Sequence, residues 1–368
     1  MTVVEQVTTT TSSVPLHTPF VTALRRTETT DTVVVTITDS DGRTGWGEAP
    51  QVWQVTGESL ASATACIETM LAPAVAGHRL DDRDDLAAAA ALVQRSVARN
   101  FGAKAAVDAA LHDLVAQAEG TSVAALLSAR PDGIREVLTT DVTLSAGAAD
   151  ALADTARARV ADGFRTLKMK VGTDASTDVQ RVASVRDAVG PDVAIRLDAN
   201  QGWTREEAVQ VIRALEVADL AVEFVEQPVV ADDVEGLAWV RERVGLPVMA
   251  DESCYGPFDL ERIIRLGAAD LVNVKLAKCG SLAVGRDMLR RAHEVGLRTI
   301  VGSMMESHVG VGAAAALVAA EPTTEVSDLD AAWWSVRSPV IGGIAYSGNE
   351  IRVPLTGGLG ISGFVDHG

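Results

Sequence analysis

The chain has 368 residues, 47% of them hydrophobic and 22% charged, a globular balance that excludes wholesale disorder. Its 50 acidic residues against 32 basic ones leave a formal net charge of −18, which opposes nucleic acid and anionic membrane surfaces as partners. Only 4% is aromatic, so the core must be built from Ala, Val, Leu and Ile, and the length suits two domains or one large α/β barrel with additions.

Residues 1–125 read as an α+β unit. The opening MTVVEQVTTTTSSVPL lacks the basic and apolar regions of a signal peptide. Thr32–Thr38 (TVVVTIT) is a β-branched strand, Asp39–Gly42 (DSDG) a turn, and RTGWGEAP resumes extended chain. From Glu58 to Gln117 apolar residues recur at helical spacing. Cys66, Cys254 and Cys279 are too sparse for a disulfide framework or a zinc knuckle, which points to a reducing cytoplasm. The longest weakly polar stretch, 309–320, is too short to span a bilayer.

Residues 126–335 follow another rhythm. Eight short apolar segments recur: VLTTDVTL, FRTLKMKV, VAIRLDA, AVEFVEQP, LPVMADES, LVNVKLAK, RTIVGSMMES and TTEVSDLD. Helical segments lie between them, among them Asp178–Val189 and Thr204–Ala218, the second opening on a Thr204/Glu207 capping box. The steps from Lys170 to Asp198, Glu226, Asp251 and Lys275 are 28, 28, 25 and 24 residues. That steady strand-then-helix period predicts a closed parallel barrel; a doubly wound sheet would want a glycine fingerprint after its first strand. Residues 336–368, extended and turn-rich, are expected to return to the N-terminal unit.

The predicted strands end in charge: Lys168 and Lys170, Asp198, Glu226, Asp251, Lys275, then Asp328 and Asp330. One charge after a strand is ordinary; the same phase on consecutive strands gathers them at one mouth, where barrels keep their active sites. Asp198, Glu226 and Asp251 are hard oxygen donors without His or Cys, a set for Mg2+, or Mn2+. Lys170 and Lys275, from strands two and six, face each other across the mouth. Lys168 alternates with Lys170, points inward too, and with the cation would lower the pKa of Lys170 towards that of a useful base.

TLKMKVG, RLDANQGW, VEFVEQP, MADES and NVKLAKCGS together resemble the muconate lactonizing subgroup of the enolase superfamily, and PFVTALRRT, GWGEAP and VTGES resemble its capping domain. The resemblance implies an N-terminal α+β capping domain, completed by the C-terminal tail, on a modified (β/α)7β barrel. It also implies Mg2+ at Asp198, Glu226 and Asp251, with Lys170 and Lys275 as the acid/base pair that removes a proton α to a carboxylate through an enediolate. The Asp328-Leu329-Asp330 run resembles dipeptide epimerases, whose Asp-x-Asp holds a free α-ammonium; two carboxylates suit such a group. Arg25 in the capping loop would meet a substrate side chain or carboxylate, although Arg26 beside it competes for that place. Ser303 and Glu306 after strand seven are candidate substrate contacts, and Asn200 and Glu252 candidate supports of the lysines or cation. His308 is read as structural, since strand six already carries Lys275. Trp333 and Trp334 are expected to pack under the tail, and Cys254 and Cys279 to be buried fillers. The expected function is Mg2+-dependent dipeptide epimerisation. A muconate-type cycloisomerase or o-succinylbenzoate synthase stands as the alternative, and a non-catalytic binding protein behind both. The expected partner is a small-molecule dipeptide, with association into a homo-oligomer compatible with the barrel.

Overall fold

The computed structural model describes residues 1–22, 26–130 and 133–365. Three antiparallel strands open the chain: β1 (Val4–Val21), β2 (Arg26–Asp39) and β3 (Thr44–Pro50), in that order. The Thr-rich start, which carries no apolar alternation, is thus an 18-residue edge strand. Its hydroxyls tolerate the solvent side while Val4, Val14 and Phe20 turn inward. At the β2–β3 turn the Asp39 carboxylate accepts from the amides of Asp41 and Arg43, both at 3.0 Å.

The GWG of β3 is a packing requirement. A Cβ at Gly45 would lie 2.1 Å from the Ala110 carbonyl oxygen, and one at Gly47 would lie 1.8 Å from that of Ala106. Both carbonyls belong to the helix Phe101–Ala118, which is buried on all sides between this sheet and the barrel. Its Ala-rich sequence allows that close approach. Glu58 holds the start of the helix, accepting from the amides of Gly102 at 2.9 Å and Ala103 at 3.0 Å.

The parallel sheet contains β5 (Val142–Leu144), β6 (Thr166–Lys170), β7 (Ala194–Asp198), β8 (Val222–Glu226), β9 (Val248–Ala250), β10 (Leu271–Lys275) and β11 (Arg298–Gly302), ordered by sequence. The helices Ala175–Val189 and Arg205–Val217 stand where their pattern predicts, the second with both arms of its Thr204/Glu207 capping box. Two expectations change. VLTTDVTL divides into β4 (Val137–Thr139) and β5, because Thr140 and Asp141 turn to bond Asn349 and Ser327. TTEVSDLD forms no continuous strand; parallel bridges Thr140–Ser327 and Gly302–Asp328 insert it between β5 and β11. Those two bridges close the ring.

The tail adds β12 (Val340–Gly342), β13 (Ala345–Ser347), β14 (Glu350–Arg352) and β15 (Ile361–Phe364). β12 pairs with β15, and β14 bridges β13 and β4. The tail bonds the N-terminal unit, through Val336 to Pro15 and Leu359 to the Asp113 carboxylate, and bonds the barrel, through the Tyr346 hydroxyl to the Leu329 carbonyl at 2.5 Å. Among the described residues no helix is long and apolar enough to cross a membrane.

Candidate active site

Parallel pairing sets the mouth. Lys170 sits opposite Asp198 and Asp198 opposite Glu226 across β6, β7 and β8, so alternate residues aim three charges at one point. The Lys168 ammonium lies among carboxylates, 2.9 Å from Asp198 Oδ2, 2.6 Å from Glu226 Oε2 and 2.7 Å from Asp328 Oδ2. Lys170 Nζ donates to Asp198 Oδ2 at 2.7 Å, and Lys275 Nζ to Asp251 Oδ2 at 2.8 Å. All are buried.

One cavity is walled by Lys170 and Lys275 together with Asp251, Glu252, Asp328 and Asp330; Phe20, Val52, Val55, Met304 and Met305 give it an apolar side. Ser303 and Asn200 also line it. Asn200 donates to Glu252 Oε1 at 3.3 Å, while Glu252 Oε2 and Asn200 Oδ1 are buried without a partner. Asp330 Oδ2 is fixed by the Thr143 amide at 2.7 Å and the Trp334 indole at 2.8 Å.

Glu306 lies outside the cavity wall: its buried carboxylate accepts from the Met304 amide at 2.8 Å and shapes the loop. Trp334 is buried as packing, yet it also braces Asp330; Trp333 packs edge-on against it under the Arg159 guanidinium. His308 makes an edge contact with Tyr346, and burial lowers its pKa to about 4. Burial pushes the Cys254 and Cys279 thiols up to about 12 and about 11, so neither is a thiolate nucleophile. Arg25 lies outside the described residues; Arg26 is exposed and paired with Glu28.

Sequence reasoning missed the residues that hold the acids. Lys278, fully buried, donates to Asp251 Oδ1 and the Asp251 carbonyl at 2.5 Å and to the Asn273 carbonyl at 3.0 Å. Asn273 donates to Glu226 Oε1 at 2.9 Å, and Gln227 Oε1 accepts from the amides of Asp251 and Ser253. The signal was present in NVKLAKCGS, where Lys278 stands one helical turn after Lys275. The short helix Leu276–Cys279 brings both lysines to the same carboxylate.

Charge does not balance within this cluster. Lys168, Lys170, Lys275 and Lys278 face Asp198, Glu226, Asp251, Glu252, Asp328 and Asp330, leaving two carboxyl groups in excess. Burial opposes the Asp198 charge, but Lys168 and Lys170 outweigh it and hold its pKa at about 2. Burial and then Asp198 raise Glu226 to about 8, and burial and then Asp251 raise Glu252 to about 7. Burial also opposes the Lys275 charge, and Asp251 overcomes it, so Lys275 stands above the ordinary lysine value.

Among the described residues no three His, Cys, Asp or Glu side chains stand ready as a metal cage; Lys168 pairs with Glu226 Oε2 and Lys275 with Asp251 Oδ2. The donor chemistry nonetheless fits a hard divalent ion: three carboxyl groups on adjacent strands, two carboxyl groups in excess of the lysines and an unpartnered Glu252 oxygen nearby.

A parallel barrel with lysines and carboxylates interleaved at the carboxyl ends of its strands has its charged groups where barrel enzymes carry their active sites. Residues 151–363 match the enolase C-terminal domain-like model, and residues 4–128 match the N-terminal domain of the mandelate racemase/muconate lactonizing enzyme family. The chain belongs to that family. It is 40% identical over 352 residues to the L-Ala-D/L-Glu epimerase of Bacillus subtilis (strain 168), covering 95% of this chain and 94% of that one. A substrate-liganded structure of the L-Ala-D/L-Glu epimerase from Bacillus subtilis superposes with a TM-score of 0.94 at 39% identity, over 99% of this chain and 100% of that one. The dipeptide epimerase of Enterococcus faecalis V583, solved with Mg and L-Leu-L-Tyr, gives 0.92 at 35% identity over 98% and 99%. The relatives are epimerases and racemases, and this chain is an isomerase of their class.

Proposed function

We propose that the protein is a Mg2+-dependent dipeptide epimerase, inverting the α-carbon of the C-terminal residue with Lys170 and Lys275 as the two acid/base groups. The observation that carries this reading is the shared cavity: both lysines line it, and so do Asp328 and Asp330 from the segment that closes the barrel. Proton removal on one face and delivery on the other needs one base per face, and lysines from β6 and β10 supply that pair.

Asp198, Glu226 and Asp251 would hold the cation, which when bound supplies Lewis acidity to the substrate carboxylate and so acidifies the α-proton. One lysine takes that proton, leaving an enediolate, and the other returns a proton to the opposite face. Lys168 keeps its ammonium form: burial opposes the charge, but Asp198, Asp328 and Glu226 raise its pKa well above the usual value. It therefore stands as a fixed positive charge behind the cavity wall, among Asp198, Glu226 and Asp328. The substrate ammonium would meet Asp328 and Asp330, where Oδ2 of Asp330 is tied down and Oδ1 is left to accept. The apolar side formed by Phe20, Val52, Val55, Met304 and Met305 supports an apolar side chain in at least one of the two residues.

The test is α-proton exchange in D2O with free and N-acetylated dipeptides. Free dipeptides should exchange and epimerise while N-acetyl forms react poorly. Replacing Asp328 and Asp330 together with Asn should lower kcat/KM for free dipeptides at least ~100-fold, from about 3 kcal/mol of lost charge-assisted bonding, and leave N-acetyl forms little changed. Equal turnover of free and acetylated substrates, or lactonisation of muconate with no action on dipeptides, would overturn the reading.

A further inference from the structure

The segment Gln51–Gly57, between β3 and the helix Leu60–Cys66, lies over the cavity and sends Val52 and Val55 into its wall. Its attachment to the barrel is thin. Val52 and Val55 pack in a small apolar cluster with Ala277 and Met304. Its turn is closed internally, by the amides of Val55 and Thr56 on the Val52 carbonyl at 3.1 and 2.9 Å. Among the described residues one hydrogen bond crosses from this segment to the barrel: the Tyr255 hydroxyl donates to the Val55 carbonyl at 2.5 Å. Tyr255 itself lies four residues beyond Asp251. Its ring stands 5.9 Å from the Lys278 ammonium that grips the Asp251 carboxylate, and packs 6.1 Å from Phe101, the first residue of the buried capping helix.

We infer that Tyr255 is a positioning residue: through its hydroxyl it fixes the Gln51–Gly57 segment over the bound dipeptide and ties that segment to the β9 end carrying Asp251. The nature of the bound molecule rests on the dipeptide reading; the latch itself does not. A single hydrogen bond of ordinary worth shifts an open–closed equilibrium by up to about tenfold, enough to govern how a segment with few other anchors to the barrel sits over it.

Tyr255→Phe removes the bond and keeps the ring over Lys278 and against Phe101. Hydrogen–deuterium exchange should quicken by up to about tenfold at the amides of residues 53–57, with protection of β8, β9 and β10 unchanged. In the same variant KM for dipeptides should rise by up to about tenfold, with kcat within about twofold. Phe101→Leu, which trims the packing but spares the hydroxyl, should leave the exchange of residues 53–57 near that of the parent. Unchanged exchange in Tyr255→Phe, or equal acceleration in Phe101→Leu, would overturn the inference. Exchange is read without substrate, so a parent enzyme inert towards dipeptides would sink the functional reading and leave the latch to stand or fall on its own result.

Discussion

Trp334 donates its indole N–H to Asp330 Oδ2 at 2.8 Å, from four residues further along the chain. The ring is buried, stacked on His17 and edge-on to Phe20, so the donor cannot swing away. Burial and then Asp328 already raise Asp330 to about 6, and the indole opposes that rise. Trp334→Phe keeps the stack and removes the donor, so the Asp330 pKa should climb further. An ammonium needs the ionised form, hence kcat/KM for free dipeptides falls as pH drops through the Asp330 pKa. The acidic limb of that profile should move to higher pH in the variant, with up to about tenfold lower kcat/KM near pH 6 and a smaller loss at pH 8. Superimposable acidic limbs would separate Trp334 from ammonium binding.

The two carboxyl groups in excess at the mouth make the metal testable by binding as well as by rate. Calorimetry should show one Mg2+ site per chain, removed by EDTA and restored by Mg2+ or Mn2+ together with α-proton exchange. Asp198→Asn, Glu226→Gln and Asp251→Asn should each abolish both binding and exchange, since each takes one anionic oxygen donor from a set of three. Full activity of a metal-stripped preparation would refute the assignment.

Much of the barrel was legible because its strands and their terminal charges share one phase. Asp198, Glu226 and the two lysines of β6 follow apolar residues at a period that survives folding unchanged. Strand β1 was not legible: its Thr run has β-branched propensity but no apolar alternation, and its register comes from β2. The closing segment misled in the opposite sense. TTEVSDLD reads as a strand, yet the Thr323 and Ser327 hydroxyls bond locally, and only single bridges remain on each side. Tyr255 was hidden because its partner, Val55, is brought to it by the fold and not by sequence spacing; Lys278 carried a signal in its spacing from Lys275, but its partner Asp251 comes from another strand.

Asp113, on the buried capping helix, offers a pH test of how the tail is held. Its Oδ1 accepts from the Leu359 amide at 2.7 Å and its Oδ2 from the Trp46 amide at 2.9 Å. Burial raises its pKa from 3.8 to about 6, against the pull of those amides. A raised folded-state value means the native chain holds the proton more tightly than the unfolded one. Its contribution is then fully present below about pH 4 and is lost as pH rises through about 6. Asp113→Asn cannot titrate. The stability of the parent relative to this variant should therefore fall by about 2 kcal/mol between pH 4 and 7, measured by urea unfolding at each pH. A difference constant over that range would mean that the carboxyl keeps its ordinary pKa.

The lysine pair gives the sharpest test of the reaction. Lys170 donates to Asp198 and Lys275 to Asp251, so each is anchored to a different carboxylate of the mouth. If each serves one face of the α-carbon, Lys170→Ala and Lys275→Ala should each abolish epimerisation, a loss of at least ~10²–10⁴-fold for a general acid or base. Each variant should still exchange the α-proton of one epimer in D2O, and the two variants should differ in which epimer that is. Truncation to Ala also frees an oxygen of Asp198 or Asp251, so Mg2+ binding is measured alongside to show that the metal site survives. A variant that epimerises near the parent rate would show that one lysine suffices and refute the two-base scheme. Loss of exchange from both epimers in either variant, with Mg2+ still bound, would mean that the two lysines act together on one face.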